Sequence, residues 1–105
     1  MSNLAIIARV QLSADSAPQY VEAAKALIDV TRAEAGCIHY GMGVDICDPT
    51  VVWIAEEWAS QDALNDHLRA DHIQAFLAQV AELEVLSMEA TQYEVSSQGP
   101  VQMPE

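Results

Sequence analysis

The chain has 105 residues and a formal net charge of −12, from 4 Lys and Arg against 16 Asp and Glu. This length accommodates one domain with a single core, and the hydrophobic fraction of 51% excludes a disordered chain. Four cations cannot form a basic surface for nucleic acid or anionic membranes. No apolar run is long enough to span a bilayer, and the N-terminus lacks a signal-peptide pattern, so we expect a cytoplasmic protein.

The first predicted elements are a strand and a helix. Residues 4–12 form a strand whose two alternating sets are both mainly apolar, which is typical of a strand buried on both faces. A helix is predicted to begin at Ser16, with Gln19 as its capping-box partner and Pro18 in the first turn. Gly36 is expected at the C′ position of this helix. The core-facing stripe of the helix is Tyr20, Ala24, Leu27 and Thr31.

A hairpin is predicted next. Apolar residues occupy every even position between Cys37 and Cys47, which indicates a second strand. Residues 48–50 form a turn, and residues 51–58 return as the third strand. At the ends of one strand the two cysteines would lie about 33 Å apart, so we expect reduced thiols and no disulfide. The even positions are Ile38, Tyr40, Met42, Val44 and Ile46.

Two helical segments follow the hairpin. Ser60 is predicted to cap the first, over residues 62–69. Asp71 is predicted to cap the second, which extends to about Glu82. The inward residues of the second segment are Ile73, Phe76, Leu77 and Val80.

Residues 84–95 form the last predicted strand, so residues 1–95 make one domain. Residues 96–105 are predicted to be a tail that is either mobile or lies over a neighbouring subunit. The order β-α-β-β-α-β predicts an α+β, ferredoxin-like fold, with helices on one face of an antiparallel sheet. The other face is too apolar to stay in water, which predicts a homodimer that stacks sheet on sheet. Its apolar residues are Ile7, Val51, Trp53, Val85 and Val95.

This pattern resembles the antibiotic biosynthesis monooxygenase family of the dimeric α/β barrel superfamily, including its quinol monooxygenase-like members. The residues that carry the resemblance are EAGCIHY at 34–40, the Glu-x-Trp of Glu56 and Trp58, and SQDALNDHLRADHIQAF at 60–76. The resemblance extends over about residues 3 to 95. It implies a homodimeric barrel, a pocket between helices and sheet, and oxygen insertion into a phenolic or quinol substrate without flavin, haem or metal. The fold alone does not fix the reaction, because it hosts several chemistries.

The candidate catalytic residues are His67, Asn65 and Trp58. His67 follows Leu64 by three residues on the core side of its helix, so it is either a base for a substrate hydroxyl or a buried histidine bonded to a carbonyl. Asn65 could donate to a substrate oxygen or be solvated, and Trp58 could stack on an aromatic substrate or belong to the core. The candidate substrate pocket adds Tyr40, Ile54, Leu64, His72 and Phe76.

Other polar residues have weaker claims. His72 either closes the pocket or supports the chain reversal. A metal held by His67 and His72 is disfavoured, because their spacing is not i, i+4 and no third histidine or cysteine is adjacent. His39 and Arg9 share the odd-numbered face and belong to either the site or the dimer interface. Cys37 is expected to be an inert buried thiol, since no cation is next to it in sequence.

The fold allows three further functions. Haem degradation is disfavoured, because haem-degrading relatives use an asparagine, a tryptophan and a histidine where this chain has Ala8, His67 and Leu77. A non-enzymatic ligand-binding or stress-response barrel remains open, because a suitable pocket binds a ligand whether or not it reacts. Degradation of a small phosphorylated ketone is disfavoured by the shortage of cations. The chain has only Arg9, Lys25, Arg32 and Arg69.

Overall fold

A computed structural model describes residues 2–105. Four strands form one antiparallel sheet in which the strands, numbered in chain order, lie in the order 2-3-1-4, which confirms the predicted ferredoxin-like arrangement. The second helical region consists of two separate helices. In chain order, the elements are β1 (Asn3–Leu12), α1 (Ser16–Arg32), β2 (Cys37–Val44), β3 (Val51–Trp58), α2 (Gln61–Arg69), α3 (Asp71–Val80) and β4 (Val85–Val95).

The core lies between the helices and one face of the sheet. Leu4 pairs with Trp58 and Val10 with Val52, so the even-numbered residues of β1 and β3 share the face that the helices cover. The predicted stripe of α1 is buried throughout, which confirms its orientation. From the other helices, Leu64, Ile73 and Phe76 are buried, whereas Leu77, predicted inward, is 48% exposed.

The start of α1 differs from the predicted capping box. Ser16 is the first helical residue, and its backbone N–H donates to the Ser13 Oγ at 3.2 Å. The Ser16 Oγ instead accepts from the Glu84 N–H at 2.9 Å, which connects α1 to the beginning of β4. Gln19 donates to the Asp15 carbonyl. The Ser16–Gln19 capping box was therefore wrong, because both side chains have other partners.

The two short helices meet at a break in the backbone. Ser60 caps α2 as predicted, since its Oγ accepts from the Ala63 N–H at 3.1 Å. Asp71 was wrongly predicted as a cap: the chain resumes its helix at Asp71, and the cap position belongs to Ala70, which has no capping side chain. Ala70 has an extended conformation, with φ −66° and ψ 149°. The break therefore changes the direction of the α3 axis relative to α2.

Strand β2 is shorter than predicted. It ends at Val44, so Cys47 lies in the following turn and the 33 Å separation between the cysteines does not apply; both cysteines are nevertheless free. The pairing with β3 shifts between Cys37 and His39, which leaves Ile38 exposed. Ile46 is also fully exposed, so the even-numbered apolar face was wrong at both of its ends.

Gly36 was expected directly after α1, but that helix ends at Arg32 with Ala33 in its cap position. Gly36 instead has a positive φ of 84° in the turn before β2. Only glycine adopts this conformation without strain.

The face of the sheet away from the helices is partly apolar. Ile7 and Trp53 are each somewhat over 40% exposed there, as predicted. Val51 has the predicted position on this face, since it pairs with Gln11, but it is buried. Val85 was wrongly predicted on this face: the β1–β4 pairing shifts register beside it, and it packs against the core. Val95 is half-buried.

Residues 96–105 contain no helix or strand and are exposed. Among residues 2–105, no helix is long and apolar enough to cross a membrane.

Candidate functional site

A cavity of about 170 Å³ lies between the sheet and the two short helices. Apolar side chains form most of its wall, and four of its lining residues carry polar groups: Tyr20, Tyr40, Glu56 and His67. Its rim includes Leu68, Leu77 and Met88, which are all about half exposed. A small molecule therefore has a route into the cavity between the helices and β4.

His67 lines this cavity and is almost completely buried, with 2% of its surface exposed. Its Nδ1 lies 2.6 Å from a carboxylate oxygen of Glu34, Oε2, so the ring N–H donates to that oxygen. The ring packs against Trp58 and Tyr40, with centroid distances of 4.7 and 5.5 Å. These contacts fix the ring and leave Nε2 as the only ring nitrogen available to a molecule in the cavity.

Glu34 also contacts the second histidine. The Nε2 of His72 lies 2.8 Å from the same Oε2, so one carboxylate oxygen accepts from both rings. Glu34 lies in the turn between α1 and β2, His67 is on α2 and His72 is in the first turn of α3. The turn is held close to α2 at Gly36, where a Cβ would lie 2.6 Å from the Cβ of Ala63.

Glu34 has no predicted role, although it begins the EAGCIHY stretch that carries the resemblance. The signal that could have found it is its place one residue before the Ala-Gly of the turn, since turns position polar side chains for function. Glu34 is separated from His67 by 33 residues.

Glu56 is the second residue that sequence reasoning left without a role. It lines the cavity, and its Oε1 accepts from the Trp58 Nε1–H at 2.9 Å. Burial raises the pKa of the Glu56 carboxyl, and the Trp58 N–H and the nearby His67 offset part of that effect. The signal was available, because an even position on β3 places this carboxylate on the core side.

The two cavity tyrosines remain protonated at neutral pH. Burial, with a further contribution from the Glu56 charge, raises the pKa of Tyr20 to about 12. The same two causes, in the same order, raise the pKa of Tyr40 well above its usual value. Both residues therefore keep a hydroxyl proton that can be donated in a hydrogen bond.

The other predicted site residues occupy several places. Ile54 and Phe76 line the cavity together with Tyr40 and His67. Trp58 does not line it: it is fully buried and packs against His67. Leu64 lines an adjoining cleft that shares Glu56 with the cavity.

Two of the predicted residues have polar partners outside the cavity. Asn65 is half-buried on α2, where its Oδ1 accepts from Gln61 at 3.0 Å. His72 is not part of the cavity wall, and its contact with the site is through Glu34.

His39 and Arg9 lie on the sheet face away from the cavity. The Nε2 of His39 is 3.9 Å from Glu57, and the guanidinium carbon of Arg9 lies 6.0 Å from the ring centre of Trp53. Cys37 is half-buried, and burial followed by the charges of the nearby carboxylates raises the pKa of its thiol, so it lacks the conditions that make a cysteine reactive.

The family model for antibiotic biosynthesis monooxygenases matches residues 3–79. The chain belongs to this family. No curated protein sequence matches it significantly.

Solved structures with the same fold include Rv0793 from Mycobacterium tuberculosis, with 27% identity, a TM-score of 0.85, and coverage of 94% of this chain and 100% of that one. SO0527 from Shewanella oneidensis is 29% identical, with a TM-score of 0.81 and coverage of 90% and 91%. A conserved protein from Methanosarcina mazei is 26% identical, with a TM-score of 0.82 and coverage of 90% and 93%. Each of these likenesses extends over at least 90% of this chain.

Proposed function

We propose that this member of the antibiotic biosynthesis monooxygenase family oxidises a small quinol or polyphenol with O2, without an organic cofactor. The observation that carries the proposal is the state of His67: its Nδ1 is bonded to Glu34, and its ring forms part of the wall of an apolar cavity. A histidine oriented by a carboxylate is a familiar arrangement for a general base, because the carboxylate fixes the tautomer and stabilises the imidazolium that forms.

The size of the cavity limits the substrate. A cavity of roughly 150 Å³ in another protein holds benzene. The volume of about 170 Å³ therefore fits one aromatic ring with small substituents. Two-ring and three-ring quinols would have to displace Leu68 or Met88 at the rim. We accordingly propose single-ring hydroquinones and catechols as the substrate class.

The proposed reaction begins when the Nε2 of His67 removes a phenolic proton. The phenolate transfers one electron to O2, which gives a semiquinone radical and superoxide in the same cavity. The two radicals combine to form a carbon–oxygen bond, and the resulting peroxide takes a proton. Its O–O bond then breaks, the ring carbon loses its hydrogen, and water leaves. One oxygen atom of O2 ends in a hydroxyquinone and the other in water, with four electrons supplied by the substrate.

The other cavity residues support the chemistry in distinct ways. The protonated hydroxyls of Tyr20 and Tyr40 are potential donors to the phenolate, which is worth most in an enclosed apolar site. Glu56 is available to accept a hydrogen bond from a second substrate hydroxyl, since its Oε1 is already held by Trp58. Apolar walls exclude water, which keeps the radical pair together.

The proposal includes the assembly and location of the protein. The exposed Ile7 and Trp53 favour a homodimer through the outer sheet faces. The free Cys37 and Cys47 favour a reducing compartment, which is the cytoplasm.

Oxygen uptake by the metal-free protein tests the proposal. Single-ring hydroquinones, naphthoquinols and anthrones are compared after correction for autoxidation, and single-ring compounds are expected to give the highest kcat/KM. His67→Gln should lower kcat/KM at least tenfold, about 1.4 kcal/mol of barrier. Glu34→Gln should lower kcat more than it changes KM, because it disturbs the base without touching the substrate.

His39→Gln is the matched control, because it removes an exposed histidine on the other face of the sheet. It should leave uptake unchanged. Saturable binding of a hydroquinone without uptake would favour a ligand-binding barrel instead. Uptake that survives in folded His67→Gln would show that another group, with Glu56 the first to test, removes the proton.

A further inference from the structure

Three atoms with the character of metal ligands converge beside the cavity. They are Oε2 of Glu34, Nδ1 of His67 and Nε2 of His72, and all lie within 4.8 Å of one another. They come from the α1–β2 turn, from α2 and from the first turn of α3, so three separately positioned segments contribute one atom each. The sequence disfavoured a metal because no third ligand was adjacent, and the fold supplies that ligand as Glu34.

The chemistry of this set selects one class of cation. Two imidazole nitrogens and one carboxylate oxygen suit divalent transition metals such as Zn²⁺, Fe²⁺ or Co²⁺. Ca²⁺ and Mg²⁺ prefer oxygen ligands throughout, so this set does not suit them. Neutral rings and one carboxylate give a site charge of −1, which partly neutralises the cation.

Metal binding requires an adjustment of all three side chains. The carboxylate oxygen lies 2.6 Å from Nδ1 of His67 and 2.8 Å from Nε2 of His72. Atoms bonded to one Zn²⁺ at about 2.0–2.1 Å lie roughly 3.0–3.4 Å apart, so Glu34 would have to withdraw by about half an ångström. The two ring nitrogens lie within 4.8 Å of each other and would have to come within the same range, which needs a rotation of the rings as well. The side chains of Glu34 and His72 remain 16% and 24% exposed, which provides an entry path and room for water as a fourth ligand.

We infer that Glu34, His67 and His72 form a binding site for a divalent transition-metal cation, with Zn²⁺ as the first to test. On binding, each neutral ring moves its proton from the liganding nitrogen to its other nitrogen. His67 then carries its proton on Nε2, the atom that acts as the base in the proposed oxidation. If the proposed function holds, the cation and the base role of His67 exclude each other, and bound metal inhibits oxygen uptake. The binding itself does not depend on that function.

The test uses the full chain after removal of metal with a chelator. Addition of Co²⁺ should produce visible d–d absorption that saturates at one cation per chain, and calorimetry with Zn²⁺ should give the same stoichiometry. Glu34→Gln and His72→Gln should each weaken metal binding by at least about 100-fold. Loss of a residue that only hydrogen-bonds to a metal ligand costs about 10–100-fold in affinity, so a larger loss indicates a direct ligand. His39→Gln, which removes a histidine outside the cluster, should bind as the unchanged protein does.

Circular dichroism establishes that each variant is folded. If Glu34→Gln does not fold, His72→Gln decides the result, because His72 is the more exposed of the two positions. Absence of binding at 1:1 stoichiometry, or equal affinity in His72→Gln, would overturn the inference. Because no quinol is present, these measurements are independent of the oxidation assay. A protein that binds Zn²⁺ but consumes no O2 would retain the metal site and lose the proposed function.

Discussion

The close contact between Gly36 and Ala63 fixes the turn that carries Glu34 against the helix that carries His67. Gly36→Ala introduces two costs: a left-handed conformation at φ 84°, about 1–2 kcal/mol, and a Cβ placed 2.6 Å from the Cβ of Ala63, about 1–3 kcal/mol for overpacking. The free energy of unfolding should therefore fall by about 2–5 kcal/mol. At about 4–8 °C per kcal/mol for a domain of this size, Tm should fall by at least about 8 °C.

Urea unfolding of a double-mutant cycle separates these two costs. Ala63→Gly alone should cost about 1 kcal/mol, because glycine is a poor residue inside α2. In the double variant the steric cost disappears and the left-handed strain remains. The cycle should therefore give a favourable coupling of about 1–3 kcal/mol between the two substitutions.

Gly43→Ala is the matched control, since a Cβ there meets no atom within 4 Å. It should change the free energy of unfolding by less than about 1 kcal/mol. If Gly36→Ala costs no more than this control, or if the cycle shows no coupling, the turn is not held by this contact. The orientation of His67 would then not depend on this turn.

Two further predictions concern buried polar groups. Within residues 2–105, the Oγ1 of Thr31 is buried without a hydrogen-bond partner. Thr31→Val should raise the free energy of unfolding by about 1–3 kcal/mol in urea titrations, whereas Thr31→Ser, which keeps the hydroxyl and loses the methyl, should lower it. Because the pKa of Glu56 is raised, the folded state binds the Glu56 proton more tightly than the unfolded chain does. The contribution of Glu56 to the free energy of unfolding therefore falls as pH rises above the ordinary glutamate pKa. Glu56→Gln should therefore gain stability relative to the unchanged protein between pH 4 and pH 7, and a pH-independent difference would contradict the assignment.

The sequence predicted those parts of the fold that follow from side-chain periodicity. The helical spacing of Tyr20 and Leu27 gave the buried face of α1, and the alternation in β3 gave the side on which Ile54 and Trp58 lie. Alternation failed at Val85, because a register shift reverses which face a residue occupies and leaves no mark in the local pattern.

The candidate site was only partly predictable for a related reason. His67 could be placed from its helix position, and its partner could not, because Glu34 lies in a turn without periodicity and is one of 16 acidic residues in the chain. Asp71 was predicted as a cap from its residue type, but α3 begins at Asp71 with Ala70 in the cap position, and the contact of His72 with Glu34 lies in the first turn of that helix. Which carboxylate contacts His67, and where α3 begins, are therefore not readable from local sequence.

The break at Ala70 gives the site a second consequence. Residues 61–80 contain neither Gly nor Pro, and alanine has the highest helix propensity, so helix propensity by itself does not account for the break at Ala70. On one continuous helix, positions 67 and 72 would be separated by about 140° around the axis and could not face one carboxylate oxygen. The bonds of Glu34 to His67 and His72 therefore favour two helices over one. The three side chains inferred to bind a metal ion are therefore also the ones that connect α2, α3 and the α1–β2 turn, so we expect metal binding to change the positions of the two helices that border the cavity.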